Sequence, residues 1–366
     1  MNKPELMVLA TAILFSTGAA QDAIENPAKP LNDNAGRVVT LKEEMRIEDT
    51  GEGYYFKNPH YIRVSPRGDI FIRDGQEQAL QFNAQGRFVR NLFKKGQGPG
   101  ELTSLTDVWA SRANLFLIGH PIKILVFDYD GNLLKELSLR ELGWGHFILA
   151  DMGGFLIYKG GRPDPSAGGG FKDIPWNVVE ISPEGNLIKA LGPFYIRGFV
   201  ELFESGATSV TGWNRFQAVA LDGSSLFLNY TPEYLVEKLV TNEGAVVRRF
   251  ERPYTRVRRK GESGISGPGG NTPAPPEFDP DIYALHVVDG KIWVQTSTVT
   301  EGKGILFDVF DPEGRYADSF YLQSLSKDPF GKPANMVLTI AGGFAYFSEK
   351  TDDDLIVIKK CRLVGL

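Results

Sequence analysis

The fold is decided by a stretch that reads Ile124-Leu125-Val126-Phe127-Asp128-Tyr129-Asp130-Gly131-Asn132-Leu133-Leu134. It consists of an apolar strand, a tight turn with a glycine and a second apolar strand. This is the pattern of a β-hairpin, because such turns need a positive φ. Similar turns recur at Asn83-Ala84-Gln85-Gly86-Arg87, Ser182-Pro183-Glu184-Gly185-Asn186, Thr241-Asn242-Glu243-Gly244-Ala245 and Asp311-Pro312-Glu313-Gly314-Arg315. The repetition predicts one supersecondary unit that recurs along the chain.

A second series of hairpins alternates with these turns. Their connections fall at residues 68, 113, 153, 223, 290 and 342, which gives a repeat of about 55 residues. Each repeat therefore predicts four antiparallel strands, A to D, in up-and-down order. Beyond the first 20 residues, no stretch keeps the i, i+3, i+4, i+7 spacing of an amphipathic helix for three turns. The sequence predicts an all-β fold, a six-bladed β-propeller with four-stranded antiparallel blades.

The sixth repeat has no room for a fourth strand of its own. The chain ends soon after Leu363, whereas Ala35-Gly36-Arg37-Val38-Val39-Thr40-Leu41 repeats the turn glycine and the fourth-strand pattern near the N-terminus. We therefore expect the N-terminal strand to close the last blade, because circular closure leaves no unpaired seam between blades. The predicted boundaries are a signal peptide at 1–20, an N-terminal linker at 21–35 and the propeller at 36–366.

The composition agrees with a globular β protein. Of the 366 residues 42% are hydrophobic and 23% are charged, and glycine occurs 41 times. The net charge of −5 excludes the broad positive field of a general nucleic-acid-binding protein. Cys361 is the only cysteine and stands in an apolar stretch, so we expect a buried structural thiol and no internal disulfide.

Residues 1–20 have the outline of a secretory signal peptide. Lys3 precedes an uncharged apolar run from Leu6 to Phe15, and small residues follow it. About ten apolar residues are too few to cross roughly 30 Å of hydrocarbon as a helix, so a stable membrane anchor is not expected. An unusual N-terminal helix is the alternative, because Glu5 weakens the positive n-region. The mature protein is expected in the periplasm or outside the cell.

The connector after the first repeat carries a family resemblance. Gly96-Gln97-Gly98-Pro99-Gly100-Glu101-Leu102 resembles the G-x-G-P-G-E motif between blades of bacterial six-bladed β-propeller proteins of the NHL-like and TolB-like group. The resemblance covers roughly residues 36–363 and implies the fold. It implies no single activity, because such propellers serve ligand binding, protein docking, and lactone or lyase chemistry. A phosphate-binding loop is the other interpretation of these glycines, but it requires a helix directly after them.

Most insertions are predicted to lie on one face of the propeller. In each blade the B–C and D–A connections share a face, here called the long-loop face, and the A–B and C–D turns share the opposite, short-turn face. The long-loop face receives the insertions 159–175, 192–212, 251–280 and 325–334. Long connections over a rigid scaffold are the usual place for binding residues, although insertions that are merely tolerated are the alternative.

Eight residues on or near this face are candidate ligand-binding residues: His60, Trp144, His146, Trp213, Tyr283, Arg256, Arg258 and Arg259. The aromatic side chains predict a stacking platform for a sugar or a peptide. The arginines belong to a run of seven cations between Arg248 and Lys260, which would attract an anionic sugar, a phosphate or an acidic partner. Packing between blades and a solvated, flexible loop are the alternatives for these two sets.

Metal chemistry has weaker support. His60 and His146 are expected near the mouth of the central channel of the propeller. Two histidines are, however, fewer than the three protein ligands usual for a catalytic zinc. His286 lies deeper on its strand. Calcium has candidate ligands in Asp352-Asp353-Asp354 and in Asp279 with Asp281, which are more often solvated charges. No metal site or cofactor is otherwise predicted, and a serine hydrolase lacks its nucleophile elbow.

Two functions remain open. The first is an exported propeller that binds a protein, peptide or carbohydrate ligand on the long-loop face without catalysis, with neither nucleic acid nor membrane as partner. The second is a metal-assisted lactonase or lyase with its site at the channel mouth. Converging carboxylates or histidines at the mouth would favour the enzyme, whereas aromatic and arginine side chains would favour the binding protein.

Overall fold

The structure is a computed structural model of the chain. It describes residues 23–49, 51, 53–139, 145–151, 153–161, 169–202, 208–212, 216–259, 276–323 and 338–366. Every helix or strand element in these ranges is a β-strand, which confirms the all-β prediction. The described part of the chain contains no helical segment with the length and apolarity of a membrane span.

The described ranges hold 26 strands. Two come first, β1 (Ile24–Glu25) and β2 (Arg37–Ile47). Blade 1 consists of β3 (Pro59–Val64), β4 (Ile70–Asp74), β5 (Gln78–Phe82) and β6 (Phe88–Asn91), and blade 2 of β7 (Ser104–Ala110), β8 (Leu115–His120), β9 (Lys123–Phe127) and β10 (Leu133–Ser138). Blade 3 has five strands, β11 (His146–Asp151), β12 (Gly154–Gly160), β13 (Gly170–Ile181), β14 (Leu187–Leu202) and β15 (Thr208–Gly212).

The second half of the chain supplies three more blades. Blade 4 consists of β16 (Gln217–Ala220), β17 (Ser225–Asn229), β18 (Val236–Val240) and β19 (Ala245–Glu251). Blade 5 consists of β20 (Ile282–Val288), β21 (Lys291–Thr300), β22 (Gly304–Phe310) and β23 (Tyr316–Leu322). Blade 6 is formed by β24 (Leu338–Ala341), β25 (Phe344–Lys350) and β26 (Ile356–Val364), together with part of β2.

The blades are arranged in a closed circle. Within each blade, strands that are consecutive in the chain pair in order. The first strand of every blade contacts the first strand of the next: β3 with β7, β7 with β11, β11 with β16, β16 with β20, β20 with β24, and β24 with β3. These six inner strands therefore surround the axis, and the predicted six-bladed β-propeller of four-stranded antiparallel blades is confirmed.

The N-terminal strand closes the last blade, as the sequence predicts. From Thr40 to Ile47, β2 pairs antiparallel with β26 and is the outer strand of blade 6. The preceding residues, Arg37 to Val39, pair in parallel with β23 of blade 5. The register thus differs from the prediction in one respect, because the start of the strand belongs to the neighbouring blade. One strand therefore joins blades 5 and 6 into a single sheet.

The described part of the predicted linker, residues 23–35, follows the outer edges of blades 4 and 5. β1 pairs in parallel with β19, where Ile24 lies opposite Phe250. The buried Asn26 amide donates to the carbonyl oxygens of Glu251 and Gly314 at 3.1 and 3.0 Å, and its oxygen accepts from the Tyr316 N–H. This segment consequently attaches the outer strands of two blades to each other before β2 begins.

The turn glycines have the predicted conformation. In the five C–D turns, Gly86, Gly131, Gly185, Gly244 and Gly314 all have φ between 68° and 91°. At Gly314 there is a second reason for glycine, since a Cβ atom would lie 2.6 Å from Cδ1 of the buried Phe250. The turn chemistry inferred from the sequence is confirmed.

The hydrophobic core consists of six clusters, mostly between neighbouring blades. Phe307 and Phe320, for example, stack at 5.4 Å in the cluster that joins blades 5 and 6. Cys361 belongs to the same cluster and is a buried free thiol, as predicted. Burial raises the pKa of this thiol to about 11, so it stays protonated and unreactive at neutral pH.

The insertions of blade 3 differ from the prediction, because most of their described residues are strands rather than loops. Residues 170–175 of β13 pair with residues 195–200 of β14, and β15 pairs with the end of β14. Burial alternates along this extension: Ile196 and Val200 are buried, whereas Tyr195 and Arg197 are exposed. Alternating burial of this kind is typical of a β-strand with one buried face, which explains why this long connection forms part of a β-sheet.

The glycine motif at 96–102 is a structural connector. The N–H of Gly98 donates to the Glu101 carboxylate at 2.9 Å, and the N–H of Gly100 donates to the Glu136 carboxylate at 2.7 Å. The almost fully buried Lys123 donates to the Gly98 carbonyl oxygen and to Glu136. Carboxylates of the protein thus occupy the N–H groups that a phosphate would need, and no helix follows the motif.

Candidate functional site

The candidate site is the mouth of the channel on the long-loop face. The A strands begin at this face and the B strands end there. Tyr61 and His146 therefore lie near the mouth at the beginnings of β3 and β11, and Tyr158 lies near it toward the end of β12. All three side chains are half-buried, as expected for groups that line an opening.

A continuous stack of aromatic rings runs along this mouth from blade 1 to blade 4. The His146 ring lies between Tyr61 at 5.6 Å and Tyr158 at 5.3 Å, with interplanar angles of 25° and 26°. Tyr158 is in turn 5.7 Å from Trp176 and 5.5 Å from Phe216. Trp176 and Phe216 are nearly parallel, with an interplanar angle of 6°. We call these five residues the mouth stack.

Strand pairing explains how the chain builds the mouth stack. His146 and Tyr158 lie directly opposite each other in the antiparallel pair β11–β12, so their rings share one face of blade 3. Trp176 lies opposite Gly160 in the next pair, and the missing side chain there makes room for the indole. A Cβ atom at Gly160 would lie 3.1 Å from the Trp176 ring.

A buried carboxylate lies behind the mouth stack. Asp107 is fully buried and accepts hydrogen bonds from the N–H groups of Val108 and Phe147. One of its carboxylate oxygens lies 3.8 Å from Nδ1 of His146. Burial raises the pKa of Tyr158 well above its usual value, so its hydroxyl stays protonated at neutral pH. The side chain of Tyr158 is also hydrogen-bonded to that of Tyr61, so these two hydroxyl groups of the stack contact each other.

The structure locates three of the predicted aromatic and histidine candidates. His146 is in the mouth stack, whereas the ring of His60 lies 6.4 Å from that of Tyr61. Tyr61, the neighbour of His60, is the residue that stacks on His146. Tyr283 is half-buried on β20, and its carbonyl oxygen accepts from the Gln217 amide. The other two candidates, Trp144 and Trp213, lie outside the described residues.

The three predicted arginines each have a carboxylate partner. Arg256 pairs with Asp281 at 3.0 Å, Arg258 with Glu277 at 2.7 Å, and Arg259 with Asp279 at 3.1 Å. The remaining described arginines of the run are paired as well: Arg248 with Glu313, Arg249 with Glu237, and Arg252 with Asp308. Lys260 lies outside the described residues. The described arginines are thus neutralised by ion pairs, and the carboxylates of Asp279 and Asp281 are engaged with them.

His286 is desolvated at its imidazole, although the residue as a whole keeps some exposed surface. Its ring lies 6.1 Å from the Phe307 ring, and Nε2 lies 3.3 Å from the Gln295 amide oxygen. Burial lowers the pKa of His286 to about 4, so the ring is neutral at pH 7. Within the described ranges, no three histidine, cysteine, aspartate or glutamate side chains converge in an arrangement that could hold a metal ion.

We expect His286 to make the stability of the protein depend on pH. The histidine pKa is near 6.5 in the unfolded chain but about 4 in the folded one, so the unfolded state takes up the proton first. The contribution of the neutral His286 ring to the free energy of unfolding is complete above pH 6.5 and is lost as the pH falls toward 4. Urea unfolding at pH 7 and pH 4.5 should show a fall in stability that is about 2 kcal/mol smaller in His286→Gln than in the native protein. The exposed His120 gives the control variant His120→Gln, and equal falls in all three proteins would contradict the expectation.

Sequence reasoning missed several residues of the mouth. Tyr61, Tyr158 and Trp176 stand in apolar strands, where an aromatic residue is indistinguishable from a core residue. Arg63 and Arg73 are different, because each is the one arginine or lysine in a mostly apolar inner strand of blade 1, although Asp74 follows Arg73. That signal was present in the sequence. A half-buried cation on an inner strand is unusual, so such a residue is a candidate for a functional role.

Comparison with known proteins supports the architecture. A sequence-family model described as "6-bladed beta-propeller" matches residues 49–193. The crystal structure of a Bacteroides fragilis protein described as a "putative exported protein" is similar, with a TM-score of 0.56 and 14% sequence identity over 93% of this chain and 99% of that one. A search of curated protein sequences found no match. At this level of identity the likeness shows the fold alone, and that fold is a six-bladed β-propeller.

Proposed function

We propose that this protein is an exported propeller that binds a carbohydrate, a peptide or a protein partner at the channel mouth on its long-loop face and does not catalyse a reaction. The mouth stack is the observation that carries the proposal. Five neighbouring aromatic or imidazole rings lie together at the long-loop end of the blades, and all but Phe216 belong to residues that are only partly buried. Aromatic side chains with polar tips are typical of binding surfaces.

The chemistry at the mouth favours binding over the metal-assisted alternative. A lactonase or lyase of that kind would need several ligands that converge on an ion. Among the described residues such a group is missing, and His286 lies apart from His146 against Phe307. Aromatic rings and the two arginines of blade 1 are the groups that the described part of the mouth presents instead.

We also propose that the protein is exported and that it belongs to the NHL-like and TolB-like group of propellers. The apolar run of residues 6–15 and the small residues after it support a signal peptide. The similarity to a protein described as exported agrees with this. The motif at 96–102 supports a place in the NHL-like and TolB-like group of six-bladed propellers.

The proposal is tested by binding to a glycan array and a peptide array with the purified chain that begins at Gln21. We expect at least one class of ligand to bind, and we expect Trp176→Ala to weaken that binding at least tenfold because the stack loses its largest ring. The control is Ile188→Ala, which shortens an apolar side chain that is 58% exposed beside the short turn 182–186 on the opposite face. Thermal melting should confirm that both variants fold.

Two results would contradict the proposal. One is an absence of binding on both arrays. The other is about one zinc or calcium ion per chain by elemental analysis after gel filtration without chelator, which would favour the lactonase or lyase. Such a result would direct mutation to His146 and the buried Asp107.

A further inference from the structure

Two arginines of blade 1 reach the Tyr61 ring of the mouth stack from different depths: Arg73 lies opposite His60 toward the mouth, and Arg63 lies one residue before the end of β3, toward the short-turn face. Arg63 on β3 is opposite Phe71, and Arg73 is two residues further along β4, so both side chains lie on the face of blade 1 that packs against blade 2. The Arg63 guanidinium carbon is 5.0 Å from the centre of the Trp109 ring and 5.7 Å from that of Tyr61. The Arg73 guanidinium carbon is 5.5 Å from the centre of the same Tyr61 ring.

These two cations lack a carboxylate partner. Within the described part of the chain neither forms an ion pair, and the hydrogen bond found for Arg63 is a long one of 3.4 Å to the Ile62 carbonyl oxygen. The Nε atoms of both arginines are buried without a hydrogen-bond partner. All six described arginines of the 248–259 run, by contrast, are ion-paired. Half-buried guanidinium groups without a counter-ion are rare and are suited to hold an anion.

The nearby acidic side chains are engaged elsewhere. The buried Asp74 carboxylate accepts hydrogen bonds from the N–H groups of Lys57 and Asn58, at 2.8 and 2.5 Å. The buried Asp107 carboxylate accepts from two backbone N–H groups behind His146. Neither forms an ion pair with the arginines, although burial raises the pKa of Asp74 and the nearby Arg73 charge opposes that shift.

The backbone at Tyr61 points to the same place. Tyr61 has φ of 48°, a conformation that is unfavourable for a residue with a side chain. The strand pairing shifts register between His60 and Ile62, so Tyr61 is the extra residue of a β-bulge. The bulge brings its ring between the two guanidinium groups and the ring of His146. Bulges and strained residues of this kind are concentrated at ligand sites, where they direct a side chain.

We propose that Arg63 and Arg73 bind the carboxylate of an acidic sugar, a hexuronate, in the channel beside the Tyr61 ring. This inference rests on the proposed function and specifies its ligand. The guanidinium group fits a carboxylate with two parallel hydrogen bonds, and the neighbouring aromatic rings suit the apolar face of a sugar ring. The arginine pair supplies the charge recognition, and the mouth stack supplies the contact with the ring.

Isothermal titration calorimetry with D-glucuronate, D-glucose and inorganic phosphate tests this inference. We expect glucuronate to bind at least tenfold more tightly than glucose and more tightly than phosphate. Arg63→Gln and Arg73→Gln should each weaken glucuronate binding at least tenfold. Arg63→Lys and Arg73→Lys keep the positive charge but lose the planar guanidinium group that makes two parallel hydrogen bonds. These variants should retain part of the affinity for glucuronate, which would show that the weaker binding of the glutamine variants is not a folding defect.

Arg67→Gln is the matched control. Arg67 also lies over a tyrosine ring, Tyr129 at 5.2 Å, but on the short-turn face of blade 1. Its substitution should leave glucuronate binding unchanged. Equal affinity for glucose and glucuronate, a preference for phosphate, no binding of glucuronate, or unchanged binding in the Arg63 and Arg73 variants would each overturn the inference. If neutral glycans still bind on the array and Trp176→Ala still weakens that binding at least tenfold, the proposed function stands without the carboxylate site.

Discussion

Arg252→Ala is expected to lower the free energy of unfolding by about 3–5 kcal/mol, because it leaves a buried carboxylate without its cation. Arg252 and Asp308 have side chains that are 8% and 0% exposed, and Nη2 lies 2.5 Å from Oδ2. Asp308 also accepts from the hydroxyl groups of Tyr234 and Tyr316, both at 2.6 Å. The guanidinium carbon lies 4.9 to 5.4 Å from the ring centres of these two tyrosines and of Tyr254.

The tyrosines cannot replace the lost charge. Burial, with the negative charge of Asp308 as the next cause, raises the pKa of Tyr234 and Tyr316, so both remain neutral donors at neutral pH. Without Arg252 the negative charge of Asp308 would be stabilised by two neutral hydroxyl groups alone. Arg252 comes from the end of blade 4 and Asp308 from blade 5, so the loss weakens the contact between two blades.

Equilibrium unfolding in urea measures this effect, with a test for two-state behaviour. Arg258→Ala is the control, since Arg258 and Glu277 form an ion pair with side chains that are 77% and 57% exposed. That variant should lose at most about 1 kcal/mol. The double variant Arg252→Met with Asp308→Asn should regain a large part of the stability, because no buried charge remains unpaired. A loss below about 1 kcal/mol in Arg252→Ala would show that water or another cation reaches Asp308.

A chain that begins at residue 48 is expected to remain unfolded or aggregated. It lacks β2, which is the outer strand of blade 6 and pairs with β26 from Thr40 to Ile47. Val39 and Ile47 of this strand are 0% and 2% exposed, and burial of such a side chain contributes about 1.5–3 kcal/mol. Without the strand, blade 6 keeps an unpaired edge and blades 5 and 6 are no longer joined in one sheet.

A chain that begins at residue 36 distinguishes the closure of blade 6 by β2 from the other contacts that the N-terminal segment makes. It keeps β2 but lacks β1 and the buried Asn26, so we expect a folded protein with reduced stability. Circular dichroism and size-exclusion chromatography, with the chain that begins at Gln21 as reference, distinguish these cases. A cooperative melt for the chain that begins at residue 48, within a few degrees of the reference, would show that closure by β2 is dispensable.

The strands and turns could be predicted because their signals are local. An apolar run, an Asp-x-x-Gly turn and another apolar run specify a hairpin within about 12 residues, as around Gly131. Five glycines at the predicted C–D turns have the positive φ that the turn requires. The insertion at 192–212 was misjudged because part of its signal is not local: Tyr195 to Val200 pair with residues 170–175 of β13, 20 to 30 residues earlier in the chain.

The candidate site was only partly predictable. His146 was identified because it stands at the start of a predicted A strand near the channel mouth, but its contacts are with Tyr61 of blade 1 and Tyr158 of its own blade. The arginine run 248–259 looked like an open positive surface because its sequence contains a single acidic residue, Glu251. The acids that neutralise Arg256 and Arg252 lie 25 and 56 residues away along the chain.

By itself the sequence determined the all-β class, the six repeats and the closing role of the N-terminal strand, because each depends on spacing along the chain. The tertiary structure alone decided which charges are paired and which rings meet. It joined Arg252 to Asp308, and it left Arg63 and Arg73 without a counter-ion beside Tyr61. The physical reason is that ion pairs and ring stacks form between different strands and between blades, and the separation of the partners in the sequence carries no periodic signal.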